Sequence, residues 1–151
     1  MQNGYSFPKE EKLCGPIRIK HLYATGRHFT CWPLRVTWLS LSIDSINSIE
    51  TSSCPTSSTS PSSPVSPVSP ASPVSVLIWA PKALFKRANR RNRIRRLMRE
   101  AWRLNAEPLR QVCADKQIRL RVAFNYIAKE ELPYTDITRA MQKALARLSA
   151  C

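Results

Sequence analysis

A long stretch rich in serine, proline and threonine is the feature that most restricts how this chain can fold. It runs from Ser40 to Ser75 and carries prolines at positions 61, 64, 67, 70 and 73. A proline at every third position is typical of a polyproline II ribbon, which has about three residues per turn and no internal hydrogen bonds. Such a segment buries too little apolar surface to offset its ordering entropy. We therefore predict a disordered or semi-rigid insertion; a ligand for proline-binding modules is a second interpretation of the same pattern.

The residues outside this insertion suffice for one compact domain. They number about 115 of the 151, enough for a hydrophobic core of ordinary size. We predict a single domain over residues 1–151, interrupted by the loop at 40–75. No stretch approaches the roughly 18 apolar residues of a membrane span, and the first residues lack the apolar core of a secretory signal. The five cysteines form no Cys-x-x-Cys pair and favour neither a disulfide nor a zinc site, so we expect a reducing cytoplasm.

The first half of the chain predicts a helix and two strands. A proline in the first turn and Gly26 as a stop predict a helix over residues 16–25, with its apolar residues on one face. Apolar and polar residues alternate over 34–38, which indicates a half-buried strand. The apolar run 76–80 is typical of a central strand. The insertion should therefore connect two neighbouring strands.

The second half predicts a helix, a strand and a helix. A long helix is expected over 85–105, followed by an irregular stretch over 107–116 that has room for another helical turn or two. Alternation over 118–126 is the clearest strand signal in the chain. Pro133 then opens a terminal amphipathic helix. The order helix, strand, strand, helix, strand, helix predicts an α+β fold in which helices pack on a small mixed sheet.

The positive charge is concentrated in one part of the sequence. The formal net charge is +14, from 24 Lys and Arg against 10 Asp and Glu. Ten of the Lys and Arg residues lie between Lys82 and Arg103, where Glu100 is the single acid. Residues 36–81 contain no Lys or Arg. A charge excess of this size in one patch points to a polyanionic partner.

The predicted helix over 85–105 divides into an apolar and a cationic face. A helical wheel places Ile94, Leu97, Met98, Ala101 and Leu104 in a core-facing stripe. The residues opposite are Arg91, Asn92, Arg95, Arg96, Arg99 and Arg103. Like charges at i, i+4 cost a few tenths of a kcal/mol per pair, and a bound anion would remove that cost. The planar guanidinium of arginine suits contacts with phosphate, and the Asn92 amide suits contacts with sugar hydroxyls or base edges. This face therefore favours nucleic-acid binding. A solvated helix face and a membrane-surface helix are the alternative interpretations.

Several segments resemble the bacterial ribonuclease P protein component. The run Ala88–Arg103 is similar to its signature, in which Arg-Asn-Arg is followed by an aliphatic residue, a basic pair, two apolar residues and Arg-Glu. Pro81–Ala88 resembles the family's strand end and helix start. Phe7–Leu13 and Leu22–Gly26 resemble its opening and its aromatic-to-glycine turn. The resemblance covers essentially everything except residues 40–75.

The resemblance implies both a fold and a function. The implied fold is an α-β-β-β-α-β-α sandwich with a small mixed sheet and a left-handed crossover, which adds one strand to the order derived above. In this family the RNA subunit hydrolyses a phosphodiester bond with bound Mg²⁺. The protein assists this endonucleolytic removal of the 5′ leader from precursor tRNA by binding. The implied partners are ribonuclease P RNA and precursor tRNA, with neither DNA nor membrane.

The resemblance also assigns residues to two binding surfaces. Contacts to RNA are implied for Lys82, Lys86, Arg87, Arg91, Asn92, Arg93, Arg95, Arg96, Arg99 and Arg103. A cleft for the single-stranded 5′ leader is implied for Ile19, Tyr23, Arg35 and Thr37. Ala83 stands where a second basic residue often occurs, and Ile19 and Thr37 stand where aromatics are frequent. Tyr23 is therefore the main stacking candidate, although a core position is equally consistent with it.

The residues themselves indicate no protein catalytic group. The sequence shows no Ser/His/Asp set and no carboxylate cluster that could hold two metal ions. With only three glycines, it also shows no glycine-rich loop that could bind a phosphate. Glu130 and Glu131 are expected in a solvated turn. A structural RNA-binding protein, such as a ribosomal component, is the main alternative function. A DNA-binding regulator is disfavoured because no second short helix stands at helix-turn-helix spacing.

Overall fold

The computed structural model describes residues 7–42 and 72–150 and has the predicted α+β architecture. The helices are α1 (Pro16–Thr25), α2 (Ala88–Asn105), α3 (Glu107–Asp115) and α4 (Tyr134–Ala150), and the strands are β1 (Arg27–Cys31), β2 (Leu34–Ser42), β3 (Val74–Trp79) and β4 (Ile118–Tyr126). A 3-10 turn covers Lys9–Glu11. Of the predicted insertion, residues 43–71 lie outside the described residues. Residues 40–42 and 74–75 belong to β2 and β3, so the prediction was wrong at both ends of the insertion.

The four strands form one mixed sheet in the order β1-β2-β4-β3. β1 pairs with β2 and β2 with β4 in antiparallel fashion, whereas β3 and β4 are parallel. This confirms the small mixed sheet, and β1 is the further strand that the resemblance implied. α2 and α3 make the crossover between the two parallel strands; its hand stays a prediction.

The position of β3 differs from the prediction. β3 is an edge strand, and β4 lies between it and β2, so the strands on either side of the insertion are not neighbours. The central strand is β4, which is buried through most of its length. The apolar run in β3 reflects contact with helices on one face and with α1 residues on the other, which hydrophobicity alone does not distinguish from a central position.

Two helical boundaries also differ. Residues 107–115, predicted to hold a turn or two, form the complete helix α3, which has proline in its first turn and buries Leu109 and Cys113. α2 begins at Ala88 and not at Phe85, because the backbone N–H groups of Leu84 and Phe85 donate to the carbonyl of Pro81 in a preceding turn. Boundaries of this kind depend on hydrogen bonds that helical periodicity does not encode.

The main core lies between one face of the sheet and three helices. α2 packs over β3, α4 packs over β1 and β2, and α2 and α4 lie against each other. α1 covers the opposite face, where Leu22 packs with Leu13 and Ala123. Among the residues predicted for the α2 stripe, Leu104 is exposed; Trp102 is fully buried in its place. No helix in the described ranges is both long and apolar enough to cross a membrane.

A buried carboxylate ties the N-terminal segment to the helices. Glu11 is 2% exposed; its Oε1 lies 2.6 Å from Nε of Arg110, and Arg110 Nη2 donates to Oε2 at 2.9 Å. Trp102 Nε1 and Ser72 Oγ donate to the same carboxylate, each at 3.3 Å. Burial lowers the pKa of Arg110, but Glu11 and Glu107 outweigh it and the net pKa is raised. Arg110 therefore stays charged, and the pair fixes the N-terminal segment beside β3.

Candidate nucleic-acid interface

Most of the RNA-binding residues predicted for α2 and for the segment before it are exposed to solvent. The exposed ones are Lys82, Lys86, Arg87, Asn92, Arg93, Arg96 and Arg99. The first turn of α2 contains no acidic residue, so the positive end of the helix dipole adds to the side-chain charge. Free backbone N–H groups at a helix start also favour anions. We call the ten predicted residues from Lys82 to Arg103 the α2 surface.

Three arginines of the α2 surface are partly buried and bonded within the protein. Arg91 Nη1 donates to the carbonyls of Phe85 and Lys86 at 2.8 and 2.7 Å, which holds the segment that leads into α2. The guanidinium of Arg95 lies 5.5 Å from the ring centroid of Trp79, a cation–π distance. These two side chains therefore shape the surface as well as charge it.

Arg103 is the third of these arginines, and it is paired with the only acid of α2. Its Nε donates to Glu100 at 2.9 Å, and this hydrogen bond lowers the pKa of Glu100. The same hydrogen bond raises the pKa of Arg103. Because Glu100 compensates its charge, Arg103 adds less positive potential to the α2 surface than the exposed arginines do.

A second acid contacts the α2 surface from outside the helix. Glu131 lies 3.2 Å from Arg90 Nε and 4.0 Å from Arg93 Nη1. The sequence predicts Glu131 in a solvated turn and does not predict these contacts, because residues 131 and 93 are distant along the chain. Beside them is a hollow of about 450 Å³ whose cations are Lys86, Arg87, Arg90 and Lys129. Lys129 was not predicted; its only sequence signal is its charge after β4.

An open cleft lies on the face of the sheet that α1 covers only in part. Its volume is about 620 Å³. The side chains that line it come from α1, from strands β2, β3 and β4, from the residue after β4 and from the segment before α2. They are Ile19, Tyr23, Arg35, Leu77, Trp79, Pro81, Leu84, Asn125, Tyr126 and Ile127. Tyr23 is 45% exposed, so the core alternative for this residue was wrong, and its hydroxyl donates to Asn125 Oδ1 at 2.9 Å. The cleft thus combines aromatic rings with one cation, Arg35.

Trp79 and Asn125 are two of the seven cleft residues that were not predicted from the sequence. Trp79 is 48% exposed and lies two residues from Leu77, so strand alternation alone could have placed it on the α1 side of β3. Asn125 pairs directly with Arg35 in the register of β2 and β4. That pairing was not predictable from either strand alone.

Thr37, the fourth residue predicted for the cleft, is buried and lies outside the cleft lining. It packs beneath Gly26, where a Cβ atom would come within 3.1 Å of the Thr37 methyl carbon. The same Cβ would lie 2.3 Å from the carbonyl oxygen of Leu22 and 3.0 Å from that of Trp38. Only glycine permits this close approach of α1 to β2, which sets the position of Tyr23 above the sheet.

A second groove follows the outer edge of β3. It has a volume of about 530 Å³ and contains four cations, Lys9, Lys12, Arg95 and Arg99. Lys12 bridges to Val76 of β3, and the backbone N–H of Leu13 donates to the Val76 carbonyl at 2.9 Å. Trp79 lines this groove and the cleft. The α2 surface and the cleft are therefore adjacent, with Trp79 at their boundary.

The described residues contain no cluster of three potential metal ligands. Among residues 7–42 and 72–150, no three His, Cys, Asp or Glu side chains come together in a way that could hold a metal ion. Cys14, Cys31 and Cys113 are free thiols. Burial raises the pKa of the Cys113 thiol. The exposed cations of the α2 surface give the arrangement the means to bind a polyanion.

Comparison with known proteins gives a consistent assignment. A sequence model of the family described as Ribonuclease P matches residues 7–149. Two similar proteins are each called "Ribonuclease P protein component" and come from Porphyromonas gingivalis strains ATCC BAA-308 / W83 and ATCC 33277. They are 30% and 29% identical over 145 residues, which is 96% of this chain and 88% of each relative. The chain therefore belongs to the ribonuclease P protein family.

Proposed function

We propose that this chain is the protein subunit of ribonuclease P and helps a catalytic RNA to remove the 5′ leader of precursor tRNA. The observation that carries the proposal is the exposed cationic face of α2, whose 18 residues include one acid. This face binds the RNA subunit in the proposal. The resulting particle is a cytoplasmic ribonucleoprotein whose RNA performs the endonucleolytic hydrolysis.

The cleft beside α1 supports binding of the single-stranded leader. An unpaired base stacks on an aromatic ring with about 1–3 kcal/mol of affinity, and Tyr23 offers an accessible ring held by its hydrogen bond to Asn125. Arg35 lines the same cleft and supplies a positive charge for a phosphate. Thr37 has no direct role in this proposal, because it is buried under Gly26.

Magnesium would be held mainly by the RNA subunit. It would supply positive charge for hydrolysis of the phosphodiester bond. The described part of the chain brings no suitable set of three ligating side chains together, so we assign the protein no step that passes through the metal. Its contribution is to bind RNA and to lower the repulsion between phosphates.

Reconstitution tests the proposal directly. The purified protein is added to ribonuclease P RNA of the same organism at low magnesium, and cleavage of a precursor tRNA is followed. We expect the wild-type protein to stimulate release of the 5′ leader. The double variant Arg93→Ala, Arg96→Ala should lose most of this stimulation, whereas Lys116→Ala, an exposed cation after α3, should retain it.

Two Tyr23 variants separate leader binding from RNA-subunit binding. Tyr23→Ala removes the ring, and Tyr23→Phe removes only the hydroxyl that bonds Asn125. We expect Tyr23→Ala to weaken binding of precursor tRNA but not of leaderless tRNA, and Tyr23→Phe to have a smaller effect. RNA binding without any stimulation of cleavage would instead support a structural RNA-binding protein.

A further inference from the structure

A second exposed tryptophan lies on the other side of the sheet from the cleft. Trp32 occupies the turn between β1 and β2 and is 66% exposed, the largest fraction among the bulky apolar side chains of residues 7–42 and 72–150. A single exposed apolar side chain does not by itself imply a partner, although covering an indole removes apolar area from water. The surroundings of Trp32 indicate which kind of partner would fit.

Three cations of α4 lie in a row beside Trp32. Arg139, Lys143 and Arg147 are spaced four residues apart, which places them about 6 Å apart along the helix axis. Like charges at this spacing are unfavourable. Within residues 7–42 and 72–150, Asp136, which lies 3.8 Å from Arg139, is the only acid in an ion pair with one of the three. Arg147 is oriented by Phe29, whose ring centroid is 5.4 Å from its guanidinium carbon. We call Trp32 and these three cations the Trp32 patch.

Two hollows flank the indole. One has a volume of about 460 Å³ and is lined by Thr30, Cys31 and Arg147. The other, of about 400 Å³, is lined by Pro33, Arg139 and the acid Asp136. Trp32 and Lys143 line both. A planar ring placed in either hollow would contact the indole, and a negative group attached to it would reach a cation of α4. An aromatic ring between cations matches the chemistry of an unpaired nucleotide.

The Trp32 patch lies on the same side of the sheet as the α2 surface. α4 packs over β1 and β2 and also against α2, and Gln142 of α4 donates to Asn105 of α2 at 3.0 Å. The cleft proposed for the leader lies on the opposite face, under α1. One large RNA could therefore contact α2 and α4 together, while the leader occupies the other face.

We propose that the Trp32 patch is a further RNA contact that binds an unpaired nucleotide of the ribonuclease P RNA subunit. The base stacks on Trp32, and the neighbouring phosphates contact Lys143 and Arg147. This inference rests on the proposed function, because it takes the RNA subunit as the partner.

The test measures binding of the full chain to the ribonuclease P RNA transcript and, separately, to precursor tRNA alone. Trp32→Ala should weaken binding to the RNA subunit about 5- to 150-fold, the range for loss of one stacked base, and Trp32→Phe should restore much of it. Lys143→Gln should lower the slope of log affinity against log salt by about 0.7, as for one single-strand phosphate contact. Ile17→Ala and Lys116→Gln are the matched controls and should change neither quantity.

A chemical footprint locates the contact independently of folding effects. Lys143 should be protected from acetylation when the RNA subunit binds, whereas Lys116 should remain reactive. Unchanged affinity of folded Trp32→Ala, or unchanged salt slope and reactivity at Lys143, would overturn the inference. A loss seen only with precursor tRNA would also overturn it. In all these cases stimulation of leader cleavage by the wild-type protein still tests the proposed function separately.

Discussion

The buried carboxylate of Glu11 allows a quantitative test of how the N-terminal segment is held. Glu11→Ala removes the more buried of the two carboxylates that pair with Arg110, whose side chain is only 14% exposed, and the acceptor of the Trp102 indole N–H. Breaking a buried ion pair from one side costs about 3–5 kcal/mol when the remaining charge is uncompensated. Glu107, whose Oε2 lies 3.2 Å from Arg110 Nη1, keeps part of the compensation, so the lower end of this range applies. The indole N–H without an acceptor accounts for about 1–3 kcal/mol, part of which overlaps with the first term. We expect a total loss of about 4 kcal/mol.

Urea unfolding measures this loss, with Glu10→Ala as the control from the same 3-10 turn. Glu10 is exposed, so its removal should change the free energy of unfolding by less than about 0.5 kcal/mol. The double variant Glu11→Leu, Arg110→Met should be more stable than Glu11→Ala, since apolar replacement of a whole buried pair is often neutral. A loss below about 1 kcal/mol for Glu11→Ala, with an unchanged denaturant slope, would refute the reasoning, because that is the cost of a solvent-exposed pair.

Three further outcomes are expected. Gly26→Ala should cost about 1–3 kcal/mol in urea unfolding, because the new methyl group meets backbone oxygens that cannot move cheaply; a neutral result would show that α1 can shift away from β2. Glu131→Gln should raise RNA affinity a few-fold at low salt and have no effect at high salt. It removes the exposed ion pairs of Glu131 with Arg90 and Arg93, and an exposed ion pair contributes about 0–1 kcal/mol. Equal affinity at low salt would contradict this. Burial raises the pKa of Cys113, so this thiol should stay protonated at pH 8 and alkylate much more slowly than exposed Cys14, as peptide mass spectrometry can measure; equal rates would show that Cys113 is accessible.

Local pattern was sufficient for the elements whose signals are contained within one segment. α1 spans the predicted residues 16–25, and β4 spans the predicted 118–126. The cationic face of α2 followed from helical geometry, since residues three and four apart share a face. β1 carried no such signal, because most of its five residues are exposed. It is a strand only because β2 pairs with it.

The binding surfaces required contacts between distant residues. Sequence placed Arg95 and Arg91 among free phosphate ligands, but Trp79 and the carbonyls before α2 engage them. Thr37 was predicted to line the cleft, yet the approach of Gly26 covers it. Neither Trp32 nor the cations of α4 stood out along the chain, because residues 32 and 143 meet only after β1, β2 and α4 have packed.

By itself, the sequence determined the fold class, the family and the charge of the partner, because periodicity, motif and net charge are properties of consecutive residues. The tertiary structure alone decided that β3 is an edge strand, that Tyr23 is open to solvent and that Glu11 is buried against Arg110. These features depend on which surfaces exclude water from each other. Exclusion of water is set by non-local packing, and no segment of the chain specifies it alone.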